Sequence, residues 1–414
     1  MFNPEIFYSE SAKSMKASVI RELLKLTRKP GIISFAGGLP APETFPAEKI
    51  KEITSSLIET KGSLMMQYGP TEGDPDLKEQ ILDYLKEDNP DVELTQDNIL
   101  VTTASQQGLD IIGKLFINPG DSIMVGLPSY LGALQAFNAY RCEFIGAPLD
   151  DNGIMTDEIE KIIKERKKKN LSIPKFIYVI PDFQNPAGIC MSLERRKALI
   201  KIAETYNITI IEDSPYKELR YEGKSIPSIL SLDKNGHVIS LFTFSKTMLP
   251  GLRLGWAVSR NTSYIQKLTI IKQAVDLCTP PFTQAIAAEF LKRGFLKSQI
   301  KNNVAFYKQK QKAMLEVLDK YMPKLEGLKW TKPEGGMFLW LTLPEHMNAD
   351  ELFVKAVDEK VAYVIGSAFY CNGKGQNTMR INFSYPTLAE IEEGIKRLAN
   401  VIEKNAGQPK ERSK

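Results

Sequence analysis

The stretch Thr243-Phe-Ser-Lys-Thr-Met-Leu-Pro-Gly-Leu-Arg253 decides the fold. Ahead of it, Val238-Ile-Ser-Leu-Phe-Thr-Phe244 is rich in β-branched and aromatic residues and reads as a strand. Just beyond, Pro250-Gly251 forbids a regular helix. Lys246 is thereby set at the C-terminal mouth of a strand, which in an open α/β sheet is where ligands bind. An amine flanked by the hydroxyls of Ser245 and Thr247, with Arg253 seven residues on, suits a carbonyl compound that carries a phosphate. Pyridoxal phosphate meets that description.

Two earlier segments repeat the pattern of a buried strand ending in polar groups. Phe176-Ile-Tyr-Val-Ile180 runs into Pro-Asp-Phe-Gln-Asn185-Pro-Ala-Gly188, and Ile208-Thr-Ile-Ile211 runs into Glu-Asp213-Ser-Pro-Tyr216. Between them, Ser192 to Tyr206 places Leu193, Leu199, Ile200 and Ala203 at helical spacing. The intervals from Asn185 to Asp213 and from Asp213 to Lys246 match the roughly 30 or more residues of a βαβ unit. Parallel strands would gather Asn185, Asp213, Tyr216 and Lys246 along one edge of a sheet.

Outward from this core the chain reads as a succession of elements. Residues 14 to 29 form an amphipathic pattern with Val19, Leu23, Leu24 and Leu26 on one side, stopped by Pro30-Gly31, as expected of an N-terminal arm. Ile99 to Thr103, Ser122 to Gly126 and Glu143 to Gly146 are strand candidates, and a helix follows Ala104-Ser-Gln-Gln107. After Lys272 long helices take over, roughly 283 to 293 and 298 to 321. The closing region offers strands at 336–342, 361–365 and 377–383 with a helix near 349–360, an α+β pattern. The expected organisation is an arm over 1–46, a large cofactor-binding domain over 47–297 and a small domain over 298–414. Gly407 to Lys414 reads as a frayed tail.

Composition narrows the function classes. At 414 residues the chain suits two domains and can bury a deep site. Its 54 basic and 50 acidic residues are too evenly matched to point to nucleic acid or a charged membrane surface, and the basic run from Lys161 to Lys169 is the solvated end of a helix. Cys142, Cys190, Cys278 and Cys371 show no paired spacing and read as free thiols. Only His237 and His346 exist, neither in a motif, so a histidine triad or a metal site is not expected. With no apolar run of membrane length and no signal-peptide pattern after Met1, a cytoplasmic protein is expected.

The motifs Gln184-Asn-Pro-Ala-Gly188, Glu212-Asp-x-x-Tyr216, Ser245-Lys246-Thr, Pro250-Gly-Leu-Arg-Leu-Gly-Trp256 and Arg380-Ile-Asn-Phe together resemble the class I aminotransferases, of pyridoxal-phosphate fold type I. The resemblance covers nearly the whole chain. Phe35-Ala-Gly-Gly-Leu-Pro-Ala-Pro-Glu-Thr-Phe-Pro46 and Gln67-Tyr-Gly-Pro-Thr-Glu-Gly73 are similar to the branch of 2-aminoadipate (LysN-type), kynurenine and archaeal aromatic aminotransferases. That branch shares its domain with the MocR regulators. A regulator would need a winged-helix domain ahead of a pattern that here begins within the first 20 residues.

The resemblance implies roles residue by residue. Lys246 would anchor the cofactor and serve as general base, with Asp213 holding the pyridine nitrogen protonated and Glu212 as the competing carboxylate. Asn185 and Tyr216 would hydrogen-bond the cofactor's phenolic oxygen, and Tyr130 would stack on its ring. Ser105 and Gln106 at a helix N-terminus, with Thr243, Ser245 and Arg253, would hold the phosphate, joined by Tyr68 from a neighbouring subunit. Arg380 would clamp the substrate α-carboxylate, Gly38 would let backbone approach the substrate, and Arg21 would read a second carboxylate. The implied enzyme is a homodimer that passes an amino group from an aromatic amino acid, kynurenine or 2-aminoadipate to 2-oxoglutarate by a ping-pong cycle. β-Elimination or decarboxylation on the same cofactor is the alternative.

Four positions depart from the family pattern. Ala104 stands where glycine is usual, so a left-handed backbone there does not follow from the sequence. Asp182, Ser214 and Ile365 differ from the usual residues and are expected to bear on the shape of the substrate pocket.

Overall fold

Strand-forming runs bounded by turn residues build the sheet that carries the site. The computed structural model describes residues 2–15, 31–88 and 92–407. Its strands are β1 Ile33–Ser34, β2 Ile99–Thr102, β3 Ser122–Leu127, β4 Glu143–Asp150, β5 Gly153–Ile154, β6 Phe176–Val179 and β7 Thr209–Asp213. Then come β8 Val238–Thr243, β9 Gly255–Val258, β10 Lys329–Trp330, β11 Phe338–Thr342, β12 Val361–Ala362, β13 Val364–Ile365 and β14 Thr378–Asn382. The expected arm helix and Arg21 fall largely in residues 16–30, outside those described.

One eight-stranded sheet runs β2-β9-β8-β7-β6-β3-β4-β5. The pairs β3–β4, β3–β6, β6–β7 and β7–β8 are parallel, and β9 lies antiparallel between β8 and β2. Because β9 reverses direction twice over, β2 points the same way as β8. The carboxyl ends of β2, β6, β7 and β8 therefore open onto one edge. The sheet is buried on both faces: Phe176 and Tyr178 of β6 join one apolar cluster, Ile177 and Val179 the other. That is the period-2 alternation of a strand, and it explains why these strands read as continuous apolar runs.

Helices pack on the sheet as their patterns require. Ser192 caps the helix Leu193–Tyr206 by accepting from Arg195 N, and Asn207 ends it in a left-handed conformation. Helix Ala104–Phe116 buries Leu109, Ile111 and Ile112. A four-stranded antiparallel sheet, β10-β11-β14-β13, is built from the C-terminal part of the chain. Helix Leu388–Asn405 packs against β1, β12 and the helix Phe295–Tyr321; a Thr387/Glu390 capping box starts it, and it buries Ile391, Ile395, Leu398 and Ile402.

Several elements differ from expectation, each for a local reason. The run 361–365, expected as one strand, splits at Tyr363, whose buried hydroxyl donates to Ala349 O at 2.6 Å. Val361–Ala362 then pairs with β1, and Val364–Ile365 with β14. Strand β8 stops at Thr243 rather than at the lysine, because Thr243 Oγ1 accepts Ser245 N at 3.1 Å and turns the backbone out of the ladder. Strand β9 was hidden in the motif around Trp256. Its Gly255 is needed there, since a Cβ would lie 2.5 Å from Phe242 O and 3.2 Å from Ala104 Cα.

Candidate active site

Lys246, three residues past the end of β8, extends its ammonium to Gly38 O at 2.9 Å. Burial, followed by the nearby charges of Arg380 and Arg253, brings its pKa down to about 8. A lysine so placed is neutral for an appreciable fraction of the time near pH 7, which is what a nucleophile and base need.

At the end of β7 the two candidate carboxylates are separated by the strand's alternation. Glu212 points into the protein, accepting Ile229 N at 2.8 Å, Leu230 N at 3.0 Å and the Ser240 hydroxyl. It caps the short helix Ile229–Leu232 and is fully used. Asp213 points the other way, 2 % exposed, with Oδ2 accepting the Tyr178 hydroxyl at 2.8 Å. Its Oδ1 is buried and has no hydrogen-bond partner among the described residues. Burial pushes the Asp213 carboxyl up to about 7; the Tyr178 hydrogen bond opposes that rise and the Glu212 charge adds to it. An unpaired buried acceptor is costly, and its cost is relieved by a cationic donor.

Arg380, from the middle of β14, is 2 % exposed. It donates through Nη1 to Asn185 Oδ1 at 2.9 Å and through Nη2 to Ala36 O at 2.8 Å, while Nε has no partner among the described residues. Its guanidinium lies between the rings of Phe338, 4.3 Å away, and Phe369, 5.2 Å away. Burial lowers its pKa to about 10. Asn185 Nδ2 in turn lies 3.5 Å from the Tyr216 hydroxyl, and burial raises the pKa of Tyr216. The residues from β6, β7, β8 and β14 thus meet in one cleft. Gly38 forms its far wall, where a Cβ would come 3.1 Å from Phe338 Cζ.

Along the same sheet edge, Ala104 begins a helix with φ +59°. The left-handed turn is present in spite of the alanine. Ser105 Oγ donates to Phe242 O at 3.4 Å, and Gln106 Nε2 reaches Gly132 O at 3.0 Å. Thr243 Oγ1 donates to Ser245 Oγ at 2.9 Å. Arg253, also left-handed at φ +51°, is exposed and has no side-chain partner among the described residues. Tyr130 caps the start of helix Leu131–Asn138, its pKa raised by burial and by Asp213. Tyr68 stands 79 % exposed beyond helix Ala47–Met65, close in sequence to exposed Leu64 and Met66.

Asp182 is held by charged neighbours. It forms a 2.8 Å ion pair with Arg196, a side chain with no exposure, and lies 3.6 Å from Arg220. Asp182 thereby neutralises a buried guanidinium. Ser214 is buried with a hydroxyl that has no partner among the described residues, and Ile365 lies in β13 beside Met379. Sequence reasoning also passed over Tyr178, Phe338 and Phe369. For Tyr178 a signal existed: it is the one polar side chain in β6, and register pairs it with Ile211, two residues before Asp213.

A mainly parallel sheet with a lysine, an aspartate, an asparagine and an arginine converging at its carboxyl edge is the arrangement of the pyridoxal-phosphate fold type I enzymes. The chain belongs to the aminotransferase class I and II family, whose model matches residues 32–398, and its cofactor is pyridoxal 5′-phosphate. It is 48 % identical over 398 residues to aromatic-amino-acid aminotransferase 1 of Thermococcus litoralis, covering 96 % of this chain and 94 % of that one. It is 38 % identical to 2-aminoadipate transaminase of Thermus thermophilus, covering 95 % and 96 %. Among solved structures, Pyrococcus horikoshii kynurenine aminotransferase in complex with PMP, KYN as substrates and KYA as products superposes with a TM-score of 0.94 at 45 % identity, covering 98 % and 99 %.

The unpaired Asp213 Oδ1 and the free Arg253 fit a ligand that is cationic at one end and anionic at the other, as the cofactor is. Among the described residues no group of three or more His, Cys, Asp or Glu could hold a metal ion, and no helix is long and apolar enough to cross a membrane.

Proposed function

We propose that this aminotransferase takes its amino group from an aromatic amino acid, kynurenine or 2-aminoadipate and passes it to 2-oxoglutarate in a ping-pong cycle. The observation that carries the site assignment is the buried Asp213 oxygen left without a donor among the described residues, on the strand next to the one that leads to Lys246. The donor classes rest on the names of the relatives at 48 % and 38 % identity and of the kynurenine aminotransferase structure.

In this reading the cofactor supplies an electron sink for charge developing at the substrate Cα. Lys246 holds the cofactor and afterwards moves the Cα proton. Asp213 keeps the pyridine nitrogen protonated, and the cation it meets holds the carboxyl ionised against its burial. Asn185 and Tyr216 donate to the phenolic oxygen. Ser105, Gln106, Thr243, Ser245 and Arg253 receive the phosphate, and Tyr130 covers the ring. Arg380 exchanges Ala36 O for the substrate carboxylate while Asn185 keeps the guanidinium in plane. Gly38 gives the substrate room.

We assign residues 1–46 to an arm, 47–297 to the cofactor-binding domain and 298–414 to the small domain. The active unit is a cytoplasmic homodimer in which exposed Tyr68 reaches the partner's phosphate site. Arg21 reads a distal carboxylate in acidic donors.

The test is a panel of amino donors with 2-oxoglutarate and the cofactor, following glutamate formation. Aromatic donors, kynurenine or 2-aminoadipate should give the highest kcat/KM, and Arg21→Ala should lower it about ten- to hundredfold for the acidic donors alone. Keto products without glutamate, or release of carbon dioxide, would replace transamination by elimination or decarboxylation.

A further inference from the structure

Behind the helix start at Ala104 lies an ion pair that none of these roles uses. Lys272 has no exposure, and its ammonium sits 2.8 Å from Asp276 Oδ1. Asp276 Oδ2 accepts two further donors, Gln107 Nε2 at 2.6 Å and Thr103 Oγ1 at 3.0 Å. Gln107 Oε1 closes the loop by accepting Thr103 N at 2.8 Å. One carboxylate therefore grips both sides of the turn that contains left-handed Ala104 and leads into Ser105. An alanine pays for that conformation, so the turn needs outside support.

The electrostatics are otherwise puzzling. A carboxylate bound to residues on either side of Ser105 would repel a phosphate arriving there. Lys272 removes that objection, because it is buried against the same carboxylate. Burial alone would raise the Asp276 pKa, but the bonds from Lys272, Gln107 and Thr103 outweigh it and hold the carboxyl below its ordinary value.

We propose that Lys272 and Asp276 are a positioning pair for the cofactor phosphate: Asp276 fixes the Thr103–Ser105 turn, and Lys272 cancels the charge that Asp276 would otherwise present to the phosphate. The inference rests on the placement of the phosphate at Ser105 and Arg253 made above. It assigns neither residue a contact with the ligand.

The experiment compares binding of pyridoxal 5′-phosphate and of pyridoxal, which lacks the phosphate, to the cofactor-free protein, by absorbance titration. The readout is the ratio of the two dissociation constants, which a change in general stability leaves alone. Lys272→Met should reduce the preference for the phosphorylated ligand about tenfold or more, since it leaves a carboxylate unpaired near the phosphate. Asp276→Asn should reduce it less, and the double variant Lys272→Met/Asp276→Asn should recover part of the loss of the lysine variant. Arg253→Gln is the control on the phosphate's position. If Arg253→Gln leaves the ratio unchanged, the phosphate placement itself falls. If Arg253→Gln lowers the ratio while the pair variants weaken both ligands equally, the pair is only structural and the inference is overturned. Should Lys272→Met not fold, isosteric Asp276→Asn decides by the same ratio.

Discussion

Tyr178 and Asp213 share a 2.8 Å hydrogen bond that occupies one carboxylate oxygen and leaves the other buried with no donor among the described residues. The tyrosine is 1 % exposed and sits one strand away, so the aspartate cannot swing to satisfy both oxygens from within the protein.

Tyr178→Phe removes the hydrogen bond that opposes the rise in the Asp213 pKa. The carboxyl should titrate above its present value of about 7 in the cofactor-free protein. With the proposed role of Asp213, kcat should fall about tenfold or more, matching the roughly 1.5–3 kcal/mol of a hydrogen bond to a charged group. The acid limb of the kcat/KM profile should move to higher pH. A lower kcat with an unmoved limb would limit Tyr178 to packing.

Asp213→Asn and Glu212→Gln should have opposite effects on stability. Because the folded-state pKa of Asp213, about 7, lies above the 3.8 of an ordinary carboxyl, the folded cofactor-free chain binds the extra proton between those values. Stability from this group is thus lost as pH rises from about 4 to 7, by roughly 4 kcal/mol for 3 units at 1.36 kcal/mol each. Asp213→Asn should raise the Tm of the cofactor-free protein at pH 8 while cutting kcat about a hundredfold or more. Glu212→Gln should lower Tm, since Ile229 N and Leu230 N lose a charged acceptor. Differential scanning calorimetry with steady-state kinetics separates the two.

Lys246→Ala should abolish turnover and the cofactor-linked visible absorbance. In the unaltered protein the rate of cofactor loading should climb with pH and level off above about 8, where the amine has lost its proton. A climb continuing toward pH 10 would mean that the lysine is not desolvated as its surroundings suggest.

Mixing Lys246→Ala chains with Tyr68→Phe chains tests the shared site. A heterodimer has one site with both defects and one with neither, so activity should recover on subunit exchange. Demonstrated exchange without recovery would show that Tyr68 serves its own chain.

The sheet was legible because its strands are short, apolar and closed by Pro, Gly, Asn or Asp, signals that act within a few residues. Asn185, Asp213 and Lys246 could be placed on one edge since parallel strands align their carboxyl ends. Strand β9 was not legible: it begins inside the Pro250–Trp256 motif at a glycine, and its direction follows from pairing with β8 and β2, not from its own sequence. The choice between Glu212 and Asp213 needed the helix Ile229–Leu232 and Ser240, which together show why one carboxylate is occupied. The Lys272–Asp276 pair is illegible in the sequence for a similar reason. Its acceptor role depends on Thr103 and Gln107, more than 160 positions away.

The segment Ile33–Ala41 gives the molecule a timetable. Ile33 pairs with Val361, Ala36 O receives Arg380 across 344 positions of chain, and Ser384 and Tyr307 bind Leu39 O and Ala41 N. During synthesis the large sheet, complete by Val258, can form long before those partners leave the ribosome. The wall of the cleft that faces Lys246 must wait for almost the last residues. A nascent chain would thus own the floor of its active site well before it owned the roof, and premature release would yield a folded sheet with no enclosed place to work.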